Sequence, residues 1–178
     1  MSEFERSLAG LPPEFADRTR RYRDFTLEFK GESDRGCAVL VLCVLEEQLQ
    51  EMFRALIVLG TEKHVANLSP PGALQRALQN AQILGLLSQR QSRSFGALAK
   101  VRNAFAHRPM QKLTFESPDI LSLLDSVPPA IDLPPNIALV DNSPRTRFLL
   151  YASILWMIML FKLPNVVRLA AAGDIPTS

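Results

Sequence analysis

The chain has 178 residues, 47% of them apolar and 21% charged, with 20 Lys and Arg against 18 Asp and Glu for a net charge of +2. That composition excludes a disordered polar chain and suits one globular domain that buries a core without staples. The charge is too evenly balanced to mark a nucleic-acid binder by itself.

Residues 1–13 read as a flexible N-terminal segment without a secretory signal, residues 14–172 as one helical domain, and residues 173–178 as a tail. Phe15, Tyr22, Phe25 and Phe29 fall at helical spacings, which predicts an amphipathic helix over 14–30 with Arg20, Arg21, Arg23 and Asp24 on its polar face. Ser33 is the expected cap of a long helix to about Leu59, stopped by Gly60. The first half of that helix is apolar all round, so it should meet neighbours on every side.

Serine followed by proline at 69–70, 117–118 and 143–144 predicts three helix starts, because serine caps the free N–H groups and proline at the first position loses no bond. These give helices at about 70–88, 118–126 and 144–163. A further helix covers about 92–107 and ends before Pro109. Val127 to Asn142, with two Pro-Pro pairs, reads as a long loop or arm. Leu113–Phe115 and Ile137–Val140 offer at most a short ribbon. The expected fold is therefore an all-α, single-domain bundle of about six helices.

Cys37 and Cys43 are the only cysteines. Six residues apart on a helix, they lie beyond disulfide reach and read as buried free thiols, in keeping with a reducing cytoplasm. Only His64 and His107 are available to join them, and no metal-ligand spacing appears, so neither metal nor cofactor is expected. His64 reads as a surface-loop residue. The apolar run Phe148–Phe161 is shorter than the roughly 20 residues that span a bilayer, so it reads as a core helix and no membrane partner is expected.

The most informative stretch is Arg102-Asn103-Ala104-Phe105-Ala106-His107. Phe95, Leu98, Val101 and Phe105 form the apolar side of its helix, and Arg102 lies on that side. A guanidinium there needs a counter-charge. Glu46 falls in the stripe of Leu42, Leu49 and Phe53, whereas Glu47 lies with Gln50 and Arg54, so Glu46 is the expected partner. Arg35, eleven residues earlier, returns to the same side and is expected to close the network. Asn103 and His107 share a face with Ala99 and Ala106, where another helix can approach closely.

Two roles follow for Arg35, Glu46, Arg102, Asn103 and His107: a polar lock between helices, or a composite site. In the second, arginine holds phosphate, histidine moves protons and asparagine orients them, as metal-free RNA cleavage requires. A single histidine needs a second acid–base group for that reaction, which a homodimer would supply.

The string Arg102-Asn103-x-x-x-His107 resembles the R-x4–6-H motif of HEPN domains, α-helical bundles that include metal-independent ribonucleases. A wider set resembles the mannitol-operon-repressor (MltR-like) family: Ser33-Asp34-Arg35-Gly36-Cys37-Ala38, Leu45-Glu46-Glu47 with Leu49, Arg102 to His107, Leu113-Thr114-Phe115, Ser117-Pro118-Asp119-Ile120, and Arg145-x-Arg147-Phe148, in order over residues 25–163. That resemblance implies a helical bundle, a bacterial cytoplasmic setting, a link to sugar-uptake regulation and a protein partner, such as a component of the phosphotransferase system. No helix-turn-helix pair is evident. Direct DNA binding through Arg18, Arg20, Arg21, Arg23, Arg90, Arg93 and Lys100 therefore ranks last, behind a protein-binding regulator and a ribonuclease.

Overall fold

The structure, a computed structural model, describes residues 3–9, 13–57, 62–132 and 143–166. Among them it is all-α and contains no strand. The α-helices are α1 (Glu3–Leu8), α2 (Pro13–Glu28), α3 (Asp34–Leu56), α4 (Glu62–Leu68), α5 (Leu74–Ile83), α6 (Gln89–Ala106), α7 (Pro118–Asp125) and α8 (Pro144–Lys162). The expected six are all present. The two additions, α1 and α4, are 6 and 7 residues long, too short for a periodic signal to stand out. Thus part of the segment expected to be flexible is helical, and His64 lies exposed on α4 instead of in a loop.

α3 is the axis of the bundle, packed chiefly against α6 and α8. Cys37, Ala38, Val41, Leu42, Leu45, Leu49, Met52 and Phe53 bury its core face. It is not enclosed on every side as its apolar first half suggests, because Leu40 is 41% exposed and Cys43 is exposed. Six residues advance a helix by one and two-thirds turns, so Cys43 points away from buried Cys37. Burial pushes the Cys37 thiol up to about 11.

Ser33 caps α3, its hydroxyl accepting from the Gly36 N–H at 3.0 Å. Ser143 caps α8 in the same way, through Thr146 N–H at 3.2 Å. Ser69 does not open α5. Pro71 disfavours helical backbone at Pro70, Gly72 takes a left-handed φ of 71°, and the helix begins only at Leu74. α5 also stops early, since Gly85 at φ 72° sets a C-terminal turn in which Leu86 N–H donates to Ala81 O at 2.8 Å.

Including its closing 3₁₀ turn, the last helix spans Pro144–Asn165, 22 residues, and is by length and composition able to cross a membrane. It is longer than the uncharged run Phe148–Phe161 because Arg145, Arg147 and Lys162 lie in its end turns. In this fold it packs on α2, α3, α6 and α7, with Phe148, Ala152, Leu155 and Met159 fully buried. Gly60, Ile137–Val140, the second Pro-Pro pair, the 173–178 tail and the side chains of Phe15 and Tyr22 lie outside the described residues. Of the Pro-rich segment, Val127 and Ala130 are buried, and Arg90 clips it by donating to Pro129 O at 2.7 Å.

Candidate functional site

α6 starts earlier than its apolar pattern indicates. Ser88 and Gln91 form a reciprocal capping box, the Ser88 hydroxyl accepting from Gln91 N–H and the Gln91 side chain accepting from Ser88 N–H at 2.9 Å. Phe95, Leu98, Val101 and Phe105 are all fully buried. Phe105 meets the Phe115 ring at 5.1 Å, and Phe115 meets Phe148 at 5.0 Å, so three aromatic rings fix the azimuth of the helix end. His107 is the C-terminal cap, its N–H donating to Asn103 O at 2.9 Å.

With that azimuth set, Arg102 reaches Glu46 on α3. Its Nη2 donates to Oε1 at 3.1 Å, and the two side chains are 23% and 33% exposed. The expected counter-charge is therefore present, at the edge of the core and not inside it. The Arg102 Nε is buried without a hydrogen-bond partner.

Arg35 does not join this pair. It donates to the backbone carbonyls of Arg108 at 3.0 Å and Gln111 at 2.8 Å. Eleven residues restore the azimuth of a helix but move about 16 Å along its axis. Arg35 therefore lies beyond the end of α6 and holds the loop that follows it.

Asn103 and His107 are exposed and line one open groove with Lys100, Arg102, Gln75 and Gly72, of about 540 Å³, between α5 and α6. Glu46 and Arg102 border a second groove of about 210 Å³ with Gln50, Ser69 and Pro70. Arg102 sits on the ridge between the two. Asn103, Arg102 and His107 thus share a surface, while Arg102 is ion-paired with Glu46 from the neighbouring groove.

Besides the Glu46–Arg102 pair between α3 and α6, a second and more extensive polar lock lies at the helix starts. Asp34, in the first turn of α3, accepts from Arg145 Nη1 at 2.8 Å and from Phe115 N–H at 2.9 Å. Arg145 Nη2 donates to Phe29 O at 2.7 Å and Glu32 O at 2.6 Å. One guanidinium and one carboxylate thereby tie the starts of α3 and α8 to the turn before α3 and the loop before α7. The available sequence signal was an acid directly after a capping serine and an arginine directly after a helix-opening proline. Only spatial neighbourhood reveals that they meet.

Several of the described basic residues are ion-paired within the chain. Arg20 pairs with Glu5 at 3.0 Å, Arg21 with Asp17 at 3.1 Å and Arg90 with Asp132 at 2.8 Å. The Arg18 side chain lies outside the described residues. Arg93 and Lys100 stand on the groove side of α6. What the fold and site define is an all-α bundle with an open, polar surface groove along one helix pair. The chain matches no protein-family model, no curated protein and no solved structure.

Proposed function

We propose that this is a non-enzymatic, cytoplasmic regulatory protein that acts by binding a protein partner, as a repressor-type regulator of a sugar-uptake or related operon. The observation that carries the reading is the state of the motif. Arg102 is engaged by Glu46 within its own chain, and His107 faces an open groove as the only histidine lining it. A surface of amides, small residues and cations is suited to recognition, whereas acid–base catalysis needs a second proton-transfer group. A component of the phosphotransferase system fits as the partner on the motif resemblance, and a homodimer is compatible with the same surface.

The experiment has two arms. Deleting the gene should change expression of the neighbouring transport operon, and the tagged full chain should retain a discrete protein partner that a Lys100→Glu, Asn103→Ala variant loses. Unchanged expression together with no retained partner removes the reading.

One observation favours a second reading, a HEPN-type metal-independent endoribonuclease: Arg102, Asn103 and His107 line the same open groove. In that role Arg102 holds the phosphate, His107 moves the proton and Asn103 orients the 2′-hydroxyl, with the second acid–base group from a symmetry-related chain. Incubation of the purified chain with tRNA and mRNA in excess chelator tests it. Cleavage abolished by His107→Ala supports the nuclease, and intact RNA at every protein concentration rejects it.

A further inference from the structure

The groove beside Asn103 and His107 continues along α6. A second concavity, of about 560 Å³, adjoins it, and both are bordered by Gln75, Leu78, Gly96 and Lys100. Together they make one trough between α5 and α6, running the length of an 18-residue helix, about 27 Å. Among the described residues, no Asp or Glu lines either part. Its walls carry glutamines, notably Gln75, Gln79 and Gln82, along with the cations Arg93 and Lys100. Neither cation forms a hydrogen bond or ion pair with any described residue, in a chain whose other arginines on α2, α3 and α8 are largely matched with carboxylates.

Two further features give the trough a period and a wall with a bare position. Arg93 and Lys100 on α6 and its C-terminal cap His107 are spaced by seven residues, so the two cations stand ~10.5 Å apart along one edge, with His107 continuing it past the helix end. Gly96 sits between the first two. A Cβ built there meets nothing nearer than Leu78 Cδ1 at 3.8 Å and Gln75 Oε1 at 3.9 Å, so internal packing does not demand glycine. A mid-helix glycine costs about 1 kcal/mol relative to alanine. A Cβ there would touch α5 at ordinary van der Waals distance, so glycine keeps this part of the trough wall free of a larger side chain.

We infer that the α5/α6 trough docks an acidic helix of a partner protein, one that presents carboxylates at heptad spacing to Arg93 and Lys100. Among macromolecules with negative charge, a helix is the one whose own repeat equals that of the cationic edge, so contacts stay in register over the whole length. The glutamine wall supplies donors and acceptors for the polar residues between the acids. A single-stranded nucleic acid fits less well, because among the described residues no Phe, Tyr or Trp lines the trough to stack its bases. The inference rests on the protein-binding reading and adds to it the chemistry of the partner.

The test is fluorescence anisotropy of three labelled probes titrated with the full chain. The first is a capped, alanine-based helical peptide with glutamate at every seventh position. The second has the same composition with glutamates distributed around the helix. The third is a 15-nucleotide oligouridine. The in-register peptide should bind, weaken as salt rises, and lose at least about tenfold in affinity with Arg93→Glu, Lys100→Glu. Gly96→Leu, which sets a large side chain against Leu78 and Gln75 in the trough wall, should have a similar effect. Circular dichroism checks that each variant is folded, and the exposed charge-reversal pair carries the test if Gly96→Leu is not. Equal binding of the two peptides, no binding of either, insensitivity to the charge reversal, or tighter charge-dependent binding of the RNA would each overturn the inference. A cellular partner whose binding ignores Arg93 and Lys100 removes this inference alone, whereas absence of any partner removes the regulatory reading as well.

Discussion

Replacing Arg145 by alanine separates the structural lock from the motif that draws attention in the sequence. The substitution removes three hydrogen bonds, to Asp34 Oδ1 at 2.8 Å, Phe29 O at 2.7 Å and Glu32 O at 2.6 Å. Arg145 and Asp34 are 25% and 23% exposed, so solvent screens the pair only in part. Hydrogen bonds to charged groups contribute about 1.5–3 kcal/mol each, and sharing one guanidinium with partial exposure reduces the sum, giving a loss of about 3 kcal/mol. Arg102→Ala removes one bond at 3.1 Å between partly exposed groups and should cost about 1 kcal/mol. Arg145→Lys should recover little, because an ammonium cannot reach carboxylate and carbonyls in a fork. Urea denaturation followed by circular dichroism at pH 7 measures all three variants. If Arg102→Ala proves as destabilising as Arg145→Ala, the assignment of the lock to the helix starts is wrong.

The raised Cys37 thiol gives a pH signature with a definite sign. Folded Cys37 titrates at about 11 against an ordinary value of 9.0, so the unfolded chain loses its proton first and stability falls between those limits by about 3 kcal/mol. Burial lowers Lys162, which acts in the opposite direction as pH rises, so the measurement is the difference between wild type and Cys37→Ala at pH 8 and at pH 10.5. An unchanged difference contradicts the burial argument. Gly96→Ala should raise stability by about 0.5–1 kcal/mol, since helical backbone is already adopted and the added methyl has room; a lower melting temperature would show hidden strain. Ser88→Ala should cost about 1 kcal/mol through loss of the capping box, detectable as a lower urea midpoint with unchanged slope.

Local chemistry is what the sequence by itself determines here. Period, capping and the stopping power of proline act within one or two turns, so α2, α3, α6, α7 and α8 are legible from spacing, as is the facing of Arg102 toward Glu46. The same locality explains the misses. The Pro70-Pro71-Gly72 turn and Gly85 shorten α5 from both ends, although a serine before proline reads as a start. Arg35 has the right azimuth and the wrong height, because spacing along one helix says nothing of where its neighbour ends. Only the tertiary structure decided that Asp34 and Arg145, 111 residues apart, meet as the lock. It also decided that α5 packs beside Ala99 while Asn103 and His107 stay exposed in an open groove next to it. Which helix lies against which face depends on how the whole core closes around α3, a property of three-dimensional packing that no local pattern contains.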